Sequence, residues 1–507
     1  MSLPFVRDVA NLERYSLARA NAGVYSNVIV GTRLQIQPLE GKAAPPLPQD
    51  HSGWLQFLAR PLTNLIQQHS VLSVVVGDHL SPHPKFLRMP SVDLNKVIRV
   101  ATVRCPADVS EVLAEEHRVM FDYLDVEVPL WRIIVVQVQE DDTFYILYNF
   151  QHAIGDGRSA MALTEQLVEQ INLDAALHGT DRPLSSTVVT SPTHELPLNM
   201  EARVNCQPSY TLLIKEATTG LLLPGFLKKA IEQKYWAGEI DATLEAPHET
   251  EVDIWFLTQE ETSLMAKAAK ARNTTVQAIL FAASVFATKA VYLSKVDKEK
   301  NIVTTTKDIL TFGTPVSLRS LVQPPIARND QGSYTSEITT KNIRVRLDTE
   351  FWVLAQKYRK EIVKGTTTRK GVRHLLEYTG LLEFIPKDSW DDFMKGHIKK
   401  EQHGRQTTLK LSNIGKAWDQ TATEATPIAF KVLHSVFSQD ASTISSPFTL
   451  NAATANGILT VTSTWQRATF KSKESAQRFM TEFKRILLVS SEPERKEYHF
   501  RDALTGF

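Results

Sequence analysis

Of the fourteen histidines in this 507-residue chain, His152 alone has an aspartate four positions on. The stretch is FQHAIGDG, from Phe150 to Gly157. A neutral imidazole, with its ordinary pKa near 6.5, can take a proton from a hydroxyl, thiol or amine at neutral pH. Ala153, Gly155 and Gly157 are small enough to let a substrate approach the backbone. Asp156 could orient that loop or face elsewhere. Spacing by itself does not decide, because about 0.7 His-x-x-x-Asp pairs are expected by chance in a chain of this composition. The alternative is a polar turn holding a satisfied histidine.

Other chemistries lack their parts. No Gly-x-Ser-x-Gly elbow precedes the motif, so a serine nucleophile is not supported. One histidine and one aspartate do not make a metal site, and none is expected. Cys105 and Cys206 are the only cysteines and neither belongs to a CxxC pair, which argues against a zinc ribbon or a disulfide framework. With 57 basic and 56 acidic residues the net charge is +1, giving no electrostatic reason to expect nucleic acid. The N-terminal MSLPFVRDVANLERYS has no apolar h-region of a secretory signal, and no apolar stretch is read as crossing a bilayer. A cytoplasmic protein is expected.

The motif needs elements to aim it. Runs rich in Val and Ile predict strands at Ser26–Gln35, Val71–Gly77, Val97–Cys105, Arg132–Val138 and Phe144–Phe150, the last ending at the motif. After Asp156, Leu163, Leu167 and Ile171 recur every fourth residue, which predicts a helix. Leu55, Leu58, Leu62, Leu65 and Ile66 form another helical stripe, which Pro61 is expected to end or kink. Residues 109–121 predict a further helix.

Residues 182–209 are rich in Pro, Ser and Thr without a period and read as a linker. Residues 212–236 are more apolar. Lys228, Lys229 and Lys234 flank leucines and phenylalanines there, so weak membrane-surface contact is conceivable, against a packed lid or interdomain segment. Thr258 with Glu261 reads as a capping box, and residues 274–293 as a buried apolar helix. Strands are predicted again at 341–347, 428–437 and 457–466, and a last helix at 472–490. The organisation expected is an N-terminal half over 1–200, a crossover or lid over 201–250 and a C-terminal half over 251–507, both halves α/β.

QHAIGDG resembles the HxxxDG motif of the CoA-dependent acyltransferase superfamily, which includes chloramphenicol acetyltransferases, plant BAHD enzymes, condensation domains and fungal alcohol acetyltransferases. Further segments match in order: YSNVIV near the start, PLWRIIVV before the motif, GTPVSLRSL from Gly313, LKLSNIGKAW from Leu409, and the HSVFSQD and SPFTLNAATANGILTVTSTWQ strands. The chain is most similar to the alcohol acetyltransferases. It lacks the Asp-Phe-Gly-Trp-Gly motif of BAHD enzymes, and Gln151 stands where condensation domains carry a second histidine.

The resemblance implies an α/β (α+β) fold of two chloramphenicol-acetyltransferase-like domains, with His152 in a tunnel between them. It implies a monomer that binds no permanent cofactor and uses acyl-CoA, such as acetyl-CoA, as co-substrate with a small alcohol as acceptor. His152 would be the general base, and Asp156 would pair with Arg319 to support the site. Gly157, Ser412 and Asn413 are candidates for stabilising the oxyanion. A carrier-protein-dependent acyltransferase of secondary metabolism and a noncatalytic binding relative are the rivals. Trp131 and Arg132 could shape the tunnel or belong to the core. The basic runs Lys357–Arg373 and Lys395–Arg405 could meet CoA phosphates or be solvated faces.

Overall fold

The computed structural model describes residues 3–38, 47–178, 185–218, 234–297, 302–306, 308–417, 420 and 428–506. Two sheets organise the chain. The first has five strands in the order Phe430–Gln439, Val28–Ile36, Thr143–Phe150, Trp131–Val138 and Ile98–Val103. Its pairings are antiparallel except the last. Thr143–Phe150 lies at its centre, buried at every position. A strand covered on both faces needs a continuous apolar run, and FYILYNF supplies one. Helices His51–Gln68 and Gly157–His178 pack on this sheet through Trp54, Leu58, Leu62, Leu163, Leu167 and Ile171.

The second sheet has six strands in the order Thr250–Phe256, Ile458–Gln466, Phe448–Ala455, Leu409–Lys416, Leu310–Ser317 and Thr335–Ile343. Its two central pairings are parallel. Helices Val276–Leu293, Phe351–Thr367 and Lys473–Ser490 cover it through Phe281, Phe286, Phe351, Phe479, Phe483 and Ile486.

The sheets do not follow the chain halves. The ten-residue strand Phe430–Gln439 leaves the second half and pairs with Val28–Ile36 of the first through nine residue pairs. Asn172, near the end of the motif helix, fastens the start of this crossing strand. Its Oδ1 accepts from the backbone N–H of Ala429 and Phe430, both at 2.8 Å, and its Nδ2 donates to Phe430 O at 3.1 Å.

Several sequence expectations are corrected. The helix through Pro61 runs unbroken from His51 to Gln68, because its buried stripe holds both turns against the sheet. The strand expected at 341–347 is Thr335–Ile343, since its partner Leu310–Ser317 pairs with that stretch. Val276–Leu293 is long and apolar enough to span a bilayer, contrary to the reading that no segment is, but most of it is buried in the second core. The linker region contains a short strand, Val188–Thr190, and a helical turn, Met200–Arg203. Lys228 and Lys229, on which the membrane-surface reading leaned, lie outside the described residues. Arg405 is not part of a solvated face: it is 2% exposed and donates to Ala237 O and Ile240 O, fastening the crossover to the second half.

Asn172→Leu is expected to destabilise the fold by about 1–3 kcal/mol, because the two backbone N–H groups lose their acceptor in a buried place. Urea unfolding of the purified variant measures it, and an unchanged midpoint would remove the clamp from the account.

Candidate active site

The central strand ends at Phe150, and Gln151 sets the turn that follows. Its backbone N–H donates to Leu130 O at 2.9 Å, its Nε2 donates to Ser16 O at 3.2 Å, and its Oε1 accepts from Ala153 N. The position that would carry a second histidine in condensation domains is thus a buried structural amide. Helix Gly157–His178 begins six residues after Gln151, with Asp156 as its N-cap.

Asp156 is fully buried. Its Oδ1 accepts from Ser159 N at 2.8 Å, Ser159 Oγ at 3.1 Å and Arg319 Nη2 at 3.2 Å, while its Oδ2 accepts from Tyr334 N at 3.0 Å. Arg319 is itself held: Nη1 donates to Ala327 O and Asp330 O, Nη2 donates to Ser159 Oγ at 2.6 Å, and its face lies 4.7 Å from the Tyr334 ring. Burial pushes the Asp156 pKa up, but Arg319 and the Ser159 and Tyr334 N–H groups outweigh it and hold the carboxyl below its ordinary range. The group therefore stays ionised and points at Arg319 and Tyr334 of the second half.

His152 is half-buried. Its Nδ1 is enclosed without a hydrogen-bond partner, and its Nε2 makes no hydrogen bond to any described residue. Burial, the largest cause, and Arg19 together lower its pKa to about 4, against the opposite effect of nearby backbone and Asp156. The ring is neutral at physiological pH. Tyr25 lies 6.3 Å away between ring centroids, tilted by 51°.

Tyr25 starts a polar chain across the two sheets. Its hydroxyl makes a long 3.4 Å bond to Gln439 Oε1, and Gln439 Nε2 donates to Asn451 Oδ1 at 2.7 Å. Asn451 is the cross-strand partner of Ser412. Asn413 is turned into its own strand, where its Oδ1 accepts from Gly415 N at 2.9 Å. That bond occupies the side-chain oxygen beside a bulge in the Asn413–Gly415 register. Gly157 touches the same strand: a Cβ there would stand 2.6 Å from Ile414 Cγ2. The motif helix can approach that closely only without a side chain. Arg19, Tyr25, Gln439 and Asn451 were not singled out from sequence, although all but Arg19 sit inside segments that carry the family resemblance.

Two other features lie away from this place. Trp131 is core, its Nε1 donating to Leu72 O, and Arg132 forms a buried ion pair with Glu116 at 2.6 Å. His117 lies between Asn27 Oδ1 at 2.6 Å and Ser438 Oγ at 2.7 Å, which imitates a nucleophile triad. All three residues are completely enclosed, so the arrangement braces the first sheet and reaches no substrate. Two small, mostly apolar recesses flank the motif helix, and His152 lines neither.

Asp156→Asn and Arg319→Ala are each expected to destabilise the protein by about 3–5 kcal/mol, because each leaves a buried charge or its donors without a partner. The double variant should lose no more than the two single losses together. Chemical denaturation of the three variants tests this; losses within error of zero would mean the pair holds nothing.

An Aspergillus fumigatus protein named as a probable alcohol acetyltransferase is 25% identical over 203 residues, covering 36% of this chain and 42% of that protein. The match therefore spans less than half the length of that relative. An uncharacterised Schizosaccharomyces pombe protein is 22% identical over 464 residues, 88% of this chain and 89% of its own. Among solved structures, the trichothecene 15-O-acetyltransferase TRI3 of Fusarium sporotrichioides has a TM-score of 0.63 at 12% identity, covering 96% of this chain and 94% of its own. Polyketide synthase associated protein 5 of Mycobacterium tuberculosis gives 0.57 at 14% identity over 97% and 100%. These likenesses establish the acyltransferase and condensation-domain fold. The family model for alcohol acetyltransferase matches residues 107–487, from ahead of the motif strand to the last helix, and the chain belongs to that family.

Proposed function

We propose that the protein transfers an acyl group, in the simplest case acetyl, from acyl-CoA to the hydroxyl of a small alcohol, with His152 as general base. The observation that carries this is the neutral imidazole with an unengaged Nε2, set at the end of the central strand in an alcohol acetyltransferase. His152 Nε2 takes the hydroxyl proton as the oxygen attacks the thioester carbonyl carbon. The tetrahedral intermediate then collapses, the C–S bond breaks, and the imidazolium returns the proton to the leaving thiolate. No covalent acyl-enzyme is required. The oxyanion needs donors, and the strand Leu409–Lys416 that meets Gly157, with Ser412 on it, is the nearest place to seek them. The substrates would meet in a tunnel between the two sheets, and the chain would act as a soluble cytoplasmic monomer.

Asp156 supports the base without sharing its proton. Four donors already occupy its oxygens, so it fixes the turn and leaves His152 to act alone. This is the role of a positioning residue.

His152→Ala should lose about 10²–10⁴-fold in turnover while its unfolding midpoint stays at the wild-type value. Release of CoA thiol from acetyl-CoA, measured over a panel of primary and secondary alcohols, reads the activity. Turnover within threefold of wild type in the folded variant would sink the general-base role.

The pH profile gives a separate test. The working form is the neutral ring, and burial lowers the pKa at which it is lost to about 4. The acid limb of kcat/KM should therefore fall well below 6.5, with a flat rate between pH 6 and 8. An acid limb at or above 6.5 would show that a different group takes the proton.

A further inference from the structure

Helix Asn11–Asn21 brings Arg19 to the site in its last turn. The guanidinium lies 4.1 Å from the centroid of the Tyr25 ring and 4.8 Å from that of Tyr15, held by the faces of both. Tyr25 is the ring that faces His152. Arg19 Nη2 reaches Ser16 Oγ at a weak 3.4 Å, and Nε is buried with no partner at all. No carboxylate among the described residues lies within ion-pair distance of it. Arg319, whose Nε is likewise without a partner, and Arg328 differ in having carboxylates: Arg319 is paired with Asp156, and Arg328 with Glu165 at 2.5 Å.

A half-buried cation with an orphaned N–H is unfavourable unless something else completes it. The planar fork of a guanidinium matches the two oxygens of a carboxylate. We propose that Arg19 binds a carboxylate carried by one of the two substrates, close to the reacting carbon. This deepens the acyl-transfer reading and rests on it. Phosphates of CoA do not fit the place, because the pantetheine arm keeps them far from a thioester that reacts at His152. The carboxylate belongs either to the acceptor, making it a hydroxy acid, or to the acyl group, making the donor a carboxyacyl-CoA. Before substrate binds, the same cation helps to keep His152 unprotonated.

Both sources can be separated with the full-length protein. One arm compares ω-hydroxycarboxylates of increasing length with their methyl esters, using acetyl-CoA and thiol release. The other compares malonyl-CoA and succinyl-CoA with acetyl-CoA, using a neutral primary alcohol. One arm should show a preference for the carboxylate of at least about tenfold in kcat/KM, the low end for a charge-assisted contact. Arg19→Gln should abolish that preference mainly through KM, and Arg19→Lys should restore part of it. A bracing role alone would lower stability and treat acid and ester alike. Thermal stabilisation by the same hydroxycarboxylates and by malonate, in wild type and Arg19→Gln, gives a readout free of turnover. Arg19-dependent stabilisation without thiol release from any pair would keep the carboxylate site and overturn acyl transfer. Thiol release with no carboxylate preference in either arm, and no Arg19-dependent stabilisation, would keep acyl transfer and overturn the carboxylate site.

Discussion

The ionised carboxylate of Asp156 is the constraint on which the site depends. A fully buried charge is costly unless every lone pair is met, and here four hydrogen bonds meet it. Two of those bonds, from Ser159, are local and start the motif helix. The other two, from Arg319 and Tyr334, come from the second half of the chain. The same group therefore caps a helix, shapes the loop that presents His152 and joins segments more than 160 residues apart. Ser159 completes the arrangement, since the hydroxyl that donates to Asp156 also accepts from Arg319 Nη2 at 2.6 Å and from Gly332 N at 3.2 Å. No single element could be withdrawn without exposing an unpaired group in a dry place.

The crossing strand works on a larger scale. By entering the first sheet beside Val28–Ile36, Phe430–Gln439 carries Gln439 to Tyr25, while its neighbour in the fold, Phe448–Ala455, carries Asn451. Thr462 Oγ1 donates to Phe437 O at 2.6 Å, tying the crossing strand to the second sheet as well. The polar chain from Tyr25 to Asn451 thus exists only because a strand from one half is shared with the other. Motion of one sheet against the other would have to break the Thr462–Phe437 bond, the Gln439–Asn451 bond and the Asp156–Arg319 pair together.

The sequence showed what local pattern can show. The apolar run before the motif, the helical period after it and the sole His-x-x-x-Asp pair locate His152 on a strand-to-helix turn. Arg319 could be matched to Asp156 only through family resemblance, because nothing in PVSLRSL distinguishes its arginine from a surface one. The shared strand was not legible: an alternating run such as FKVLHSVFSQ fits either sheet equally well, and its partner is set by tertiary packing. The passage of a helix through Pro61 follows likewise from burial on both sides of the proline. Arg19 was hidden because its importance lies in what it lacks. A sequence shows which charges a chain has, and only coordinates show which of them go unpaired.

The environment of His152 carries a tension of its own. Burial and Arg19 keep the ring neutral, so the proposed base would always be present, but with so low a proton affinity it would be a weak one. The enzyme cannot lean on a stable imidazolium. Asp156 offers little relief, since its oxygens are already committed. In the proposed transfer, proton uptake would therefore accompany carbon–oxygen bond formation closely, and the charge that appears would be answered elsewhere, at the oxyanion. An anionic group bound at Arg19 would ease the tension. By neutralising the cation beside the ring it would raise the proton affinity of His152 once substrate is in place. The base would then be held available in the empty site and strengthened in the loaded one.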